Sequence, residues 1–110
     1  MFKLLQQVPN KNITTTNIFD LEYLQLILKR HRIILESNIQ NNKTCMLHNL
    51  DKRFIIILSE DNNVITFTTL YSVTGFFSKI TKSKQESIVF IDMLTICNYI
   101  ISMYNECNPI

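Results

Sequence analysis

Phe54-Ile55-Ile56-Ile57-Leu58-Ser59-Glu60-Asp61-Asn62-Asn63-Val64-Ile65-Thr66-Phe67-Thr68-Thr69-Leu70-Tyr71 reads as two strands joined by a turn. The first five residues are apolar at every position, the pattern of a central strand covered on both faces. Glu60-Asp61-Asn62-Asn63 is a polar turn cluster. Beyond it Ile65, Phe67 and Tyr71 alternate with threonines, so the second strand offers one apolar face. This hairpin sets the centre of an antiparallel sheet, and the rest of the chain is read outward from it.

Upstream, residues 44–50 form a weaker strand candidate, and the polar run 38–43 reads as a loop in which Asn41-Asn42 can take left-handed turn conformations. A helix is expected to begin near Asn17, after the polar lead-in 11–16, because an Asn side chain accepts from the free N–H groups of a first helical turn. Asp20 and Glu22 suit the positive end of its dipole. Leu21, Leu24, Ile27, Leu28 and Leu35 recur at helical spacing, and Lys29, Arg30 and Arg32 suit the far end. The run Arg32-Ile33-Ile34-Leu35-Glu36 fits either the last turns of that helix or a short strand.

Downstream, Thr74-Gly75 marks a turn, and residues 76–84 read as a loop or an edge segment. From Glu86 to Tyr104 the period becomes helical. Phe90, Leu94, Cys97 and Ile101 make one apolar stripe, and Val89, Met93, Ile96 and Ile100 make another beside it. Asp92, Thr95, Asn98, Ser102 and Asn105 lie opposite. Asp92 and Asn98 near its middle argue against a membrane span. The expected fold is α+β: an N-terminal helix, a three- to four-stranded antiparallel sheet, and a C-terminal amphipathic helix packed on the sheet. Residues 1–110 are read as a single small domain.

With 46% hydrophobic and 18% charged residues, the chain has the apolar content to fold. Its net charge of +2 leaves the partner class open. Alanine and tryptophan are absent, Gly75 is the sole glycine, and Ile and Asn recur, as codons from an AT-rich genome would give. Three cysteines, Cys45, Cys97 and Cys107, are odd in number and show no Cys-x-x-Cys pair, which predicts reduced thiols in a cytoplasmic compartment. The N-terminal apolar run is broken by Gln6, Gln7 and Pro9, so no secretion signal is expected.

No residue set supplies catalysis. A zinc site needs three or four convergent ligands, and His31 and His48 stand alone in different elements. Cys45 and His48, three apart on a strand, fall on opposite faces, and Cys97 lies on an apolar stripe as a core residue. With Gly75 alone, no phosphate-binding loop of the glycine-rich kind can form, and no cofactor is implied. Asp51, Glu60 and Asp61 read as solvated turn carboxylates.

The chain is therefore expected to be a non-catalytic protein-interaction module: a small adaptor, inhibitor or accessory subunit, binding another protein or a second copy of itself, with no membrane among its expected partners. Two amphipathic helices and an apolar central strand offer more hydrophobic surface than a domain of this size covers. The stripe Phe90, Leu94, Cys97 and Ile101 is expected on the sheet, leaving Val89, Met93, Ile96 and Ile100 as the interface. A second reading is a small RNA-binding domain. It uses two basic groups, Lys29, Arg30 and Arg32 after the first helix and Lys79, Lys82 and Lys84 before the last, with Tyr71, Phe76 or Phe77 to stack on bases.

Overall fold

Alternate residues of the Phe54 strand turn to the same side, and that side holds the core. The computed structural model describes residues 17–74 and 79–107. The expected lead-in at 11–16 and the turn at Gly75, with Phe76 and Phe77, lie outside the described residues. The elements run α1 (Leu21–Arg30), β1 (Glu36–Asn41), β2 (Thr44–His48), β3 (Phe54–Asp61), β4 (Val64–Thr74), β5 (Lys79–Val89) and α2 (Met93–Cys107). The strands form one antiparallel meander in the order β1-β2-β3-β4-β5, with β3 central. This is the expected α+β class, with α2 contacting both the sheet and α1.

The hairpin at the centre closes as its turn chemistry requires. Only Asn62 and Asn63 separate β3 from β4, and both have positive φ, 52° and 65°. That is the two-residue turn whose twist matches paired strands, at residues that tolerate the left-handed region. Register then runs from Asp61↔Val64 to Phe54↔Tyr71.

Residues 38–41, read as part of a loop, belong to a strand, and of the two readings of 76–84 the edge segment is the one that holds for the described residues. Glu36–Asn41 pairs with β2 as an edge strand despite its polarity, because an edge strand meets water on both faces and along one side. Its turn is held by Asn41, whose Oδ1 accepts from Lys43 N at 2.8 Å, and neither Asn41 nor Asn42 is left-handed. Lys79–Val89 pairs with β4 along its whole length, so the sheet has five strands, and residues 86–89 belong to β5 where helix was expected. The strand ends where Phe90 N donates to Asn63 O at 2.7 Å.

Both helices start later than expected. Asp20, and not Asn17, caps α1, accepting from Tyr23 N at 3.1 Å. Asn17 instead ties the approach to the sheet, donating from Nδ2 to Asn41 O at 2.7 Å and to Thr44 O at 3.2 Å. In the same way Asp92 Oδ1 accepts from Thr95 N at 2.9 Å and from Thr95 Oγ1 at 2.8 Å before α2. After α1 the chain turns through His31 and Arg32, the latter at φ 62°, and Ile33 and Leu35 enter the core from irregular backbone.

One hydrophobic cluster joins Leu24 and Leu28 of α1, Cys45 and Leu47 of β2, Phe54, Ile56 and Leu58 of β3, Ile65 and Phe67 of β4, and Ile96, Cys97, Ile100 and Met103 of α2. Both helices lie on this side. The expectation that β3 is covered on both faces is corrected: Phe54, Ile56 and Leu58 are buried, while Ile55 and Ile57 on the other face are only half-buried. Their shelter there comes from cross-strand neighbours within the sheet plane.

Candidate interaction surfaces

The rotation of α2 decides which of its stripes is available. Phe67 stacks on Tyr99 with centroids 4.0 Å apart, and Phe54 meets Tyr104 edge-on at 5.1 Å. Tyr99 OH also donates to Glu86 Oε1. Burial and this hydrogen bond both raise the Tyr99 phenol well above its ordinary range. With Tyr99 and Tyr104 set on the sheet, Ile96, Ile100 and Met103 point inward and Leu94 is left 48% exposed. The expected division of the stripes is thus corrected: Ile96 and Ile100 are fully buried in the chain's own core and present no surface. Met93 is half-buried, and Val89, at 64% exposure, belongs to β5. The two stripes are equally apolar, so only contacts with Phe67 and Phe54 tell them apart.

Among the described residues neither helix covers the opposite face of the sheet. Register aligns its side chains in rows. Thr44, Ser59, Thr66 and Ser87 form a band of hydroxyls, with Thr66 and Ser87 3.1 Å apart. The next row carries Met46, Ile57, Thr68 and Gln85, and the one after it His48, Ile55, Leu70 and Ser83. The centre is therefore an apolar island of Met46, Ile55, Ile57 and Leu70 inside a polar frame whose charge lies at its rim, as at Glu36 beside His48. His48 is buried in that frame, with Nδ1 against Asn49 O at 2.9 Å and Nε2 3.4 Å from Asn38 Nδ2. Cys45, three residues before it, lies in the core, as a strand period of two requires. The Val64–Val89 pair extends the apolar area to the turn end of the sheet, where Ile91 is 75% exposed.

The two basic groups share the other end of the sheet, one beside β1 and the other on β5. Phe54 opens β3 and pairs with Tyr71, which pairs with Lys82, so Lys82 stands level with the β2–β3 loop. The end of α1 returns to the same level, because Glu36 pairs with His48 and Ile34 shares a recess with Asn49, Leu50 and Asp51. Lys29, Arg30, Arg32, Lys52, Arg53 and Lys82 are all exposed there, and Lys79 opens β5 beyond them. Arg53 pairs with Asp51 at 3.3 Å, and Lys84 pairs with Glu106 at 3.0 Å, which holds its ammonium above the ordinary lysine range. Lys29, Arg30, Arg32, Lys52 and Lys82 make no ion pair among the described residues. Asp20, Glu22, Glu60, Asp61 and Asp92 lie towards the opposite end, while Glu36, Asp51 and Glu106 lie at the basic end, where the cations outnumber them.

Lys52 and Arg53 escaped the reading of the sequence because they follow Asp51 in a loop, and only β2–β3 pairing carries them to the end of α1. Chemistry of other kinds finds little in the geometry. Among the described residues no three His, Cys, Asp or Glu groups converge on a point, and no helix is long and apolar enough to cross a membrane. The three thiols are free and buried, and burial pushes Cys45 up to about 12 and Cys97 to about 11. Compared with family models, curated proteins and solved structures, the chain matches none.

Proposed function

We propose that this chain is a non-catalytic interaction module, an accessory subunit that docks another protein or a second copy of itself on the helix-free face of its sheet. The observation that carries this reading is the apolar island of Met46, Ile55, Ile57 and Leu70 on a face that, among the described residues, neither helix covers. Such a surface is stable in water only at the cost of its hydration, and burying it against a matching layer recovers about 25 cal/mol per Å². A flat sheet face is most readily covered by another sheet, at a spacing of about 10 Å.

A second copy is the first occupant to test. The centre of the face carries no formal charge, so identical faces meet without repulsion, and the hydroxyl band of Thr44, Ser59, Thr66 and Ser87 can bond across the stack. Light scattering on the purified chain is expected to give a dimer. Ile57→Glu is expected to give a monomer with unchanged circular dichroism, since the side chain points away from the core. A wild-type chain that stays monomeric up to its solubility limit removes the second copy as occupant. An Ile57→Glu variant that still dimerises moves the interface off this face and overturns the reading.

A further inference from the structure

Ile34 and Leu50 are left 67% and 80% exposed on neighbouring loops, at the end of the sheet that also carries Lys29, Arg30, Arg32, Lys52 and Lys82. The two share one recess with Asn49 and Asp51, so the tip between α1 and β1 and the loop between β2 and β3 present a common outer surface. Arg32 lies two residues before Ile34 and Lys52 two residues after Leu50. Both cations hold positive φ, 62° and 57°, in the left-handed region that L-residues with a Cβ disfavour. Two carbonyls at the end of α1 are taken by backbone, with His31 N and Ile33 N on Leu28 O and Arg32 N on Lys29 O, and among the described residues no basic side chain bonds to that end. The side chains of Lys29, Arg30 and Arg32 are thus not spent on capping.

We propose that this end of the molecule docks on an anionic lipid surface, with Ile34 and Leu50 entering the acyl boundary and Lys29, Arg30, Arg32, Lys52 and Lys82 facing the headgroups. Two features must be explained together, cations unpaired among the described residues and gathered at one end of the molecule, and two aliphatic side chains held in water at that same end. A nucleic-acid backbone would use the cations and leave Ile34 and Leu50 exposed. A bilayer uses both, since aliphatic side chains at its boundary escape water while basic groups near the surface are drawn by its negative potential. Charge favours one orientation, because the cations at this end outnumber Glu36, Asp51 and Glu106, and Asp51 and Glu106 are paired with Arg53 and Lys84. Asp20, Glu22, Glu60, Asp61 and Asp92 lie towards the other end and are repelled by the same surface. The strands then stand away from the membrane, and the helix-free face remains open to a partner.

The experiment is co-sedimentation of the full chain with phosphatidylcholine vesicles, with and without phosphatidylserine, at low and physiological salt. Binding is expected only with phosphatidylserine and should weaken as salt rises. Lys29→Gln, Arg30→Gln and Arg32→Gln together should weaken it about a hundredfold, at roughly fivefold for each cation. Ile34→Ser with Leu50→Ser, at unchanged charge, should weaken it about tenfold or more. Circular dichroism should stay native in both variants; should the triple variant unfold, the salt titration of the wild type carries the electrostatic test. Equal binding to pure phosphatidylcholine overturns the proposal, and so does a double-serine variant that binds as the wild type does. Tighter binding to a single-stranded oligonucleotide than to the vesicles, unchanged by the serine substitutions, assigns these cations to a nucleic acid instead.

Discussion

Phe67 of β4 and Tyr99 of α2 lie ring over ring, 4.0 Å between centroids and 25° from parallel. This contact locks the rotation of α2, and with it the positions Ile96, Ile100 and Met103 that follow the same helical face. It also explains why Leu94, as apolar as either isoleucine, stands in water.

From this rotation, Ile100→Glu is expected to unfold the protein and Leu94→Glu to leave it folded. A carboxylate buried without a partner costs on the order of 3–5 kcal/mol, against a total stability of about 5–15 kcal/mol. Circular dichroism and thermal melts of the two variants check it. A folded Ile100→Glu chain would mean that α2 is turned the other way.

The same contrast holds one residue apart on β3. Ile56→Asp places a charge among Leu47, Phe67 and Leu28 on the covered side and should abolish folding. Ile57→Asp places it on the open face and should cost roughly 1–3 kcal/mol, the loss of one half-buried aliphatic side chain. Urea melts of both variants measure the difference. Equal losses would mean that both faces of the strand are core.

How far the chain could be read in advance depended on whether a local pattern had a competitor. The β3–β4 hairpin had none, because the apolar run, the alternation of Ile65 and Phe67 and the Asn62-Asn63 turn all agree. The edge strands were harder to read, β1 as a loop and the start of β5 as a loop or an edge segment, because polar side chains such as Asn38 and Gln40, or Lys82 and Gln85, leave no apolar period. The first group of cations was visible as a run, but its sharing one end of the sheet with Lys82 was not. That placement depends on Glu36↔His48, Phe54↔Tyr71 and Tyr71↔Lys82, three pairings between residues far apart in the chain. The apolar stripes on α2 had two equivalent solutions, and the choice was made by aromatic rings on another element.

Thr69 offers a site where the sequence is not at its stability optimum. It faces the core opposite Ile56 and Lys84, fully buried, and its hydroxyl has no hydrogen-bond partner. A buried hydroxyl without a partner has lost its water and gained nothing in exchange. Thr69→Val keeps the shape and removes the polar atom, so it is expected to stabilise the fold by about 1 kcal/mol, a rise of roughly 4–8 °C in Tm. A drop in Tm would show that the hydroxyl is bonded in solution.

The start of α2 should carry a pH dependence that a neutral side chain abolishes. Asp92 accepts from the Thr95 backbone N–H and from the Thr95 hydroxyl, and these bonds, the backbone one first, hold its carboxyl below the ordinary carboxylate range. A carboxyl with a lower pKa in the folded than in the unfolded chain stabilises the fold above its unfolded value, and that contribution is lost as pH falls through the folded value. Asp92→Ala should therefore melt below the wild type at neutral pH, and the gap should narrow on acidification past the carboxylate range. Asp92→Asn keeps an acceptor for the Thr95 N–H but cannot titrate, so it should lie between the two at neutral pH, with a gap to Asp92→Ala that persists in acid. Thermal melts of the three proteins across that pH range decide the matter. A wild-type advantage over Asp92→Ala that stays constant into acid would mean that the ionised carboxylate has no part in holding the first turn of α2.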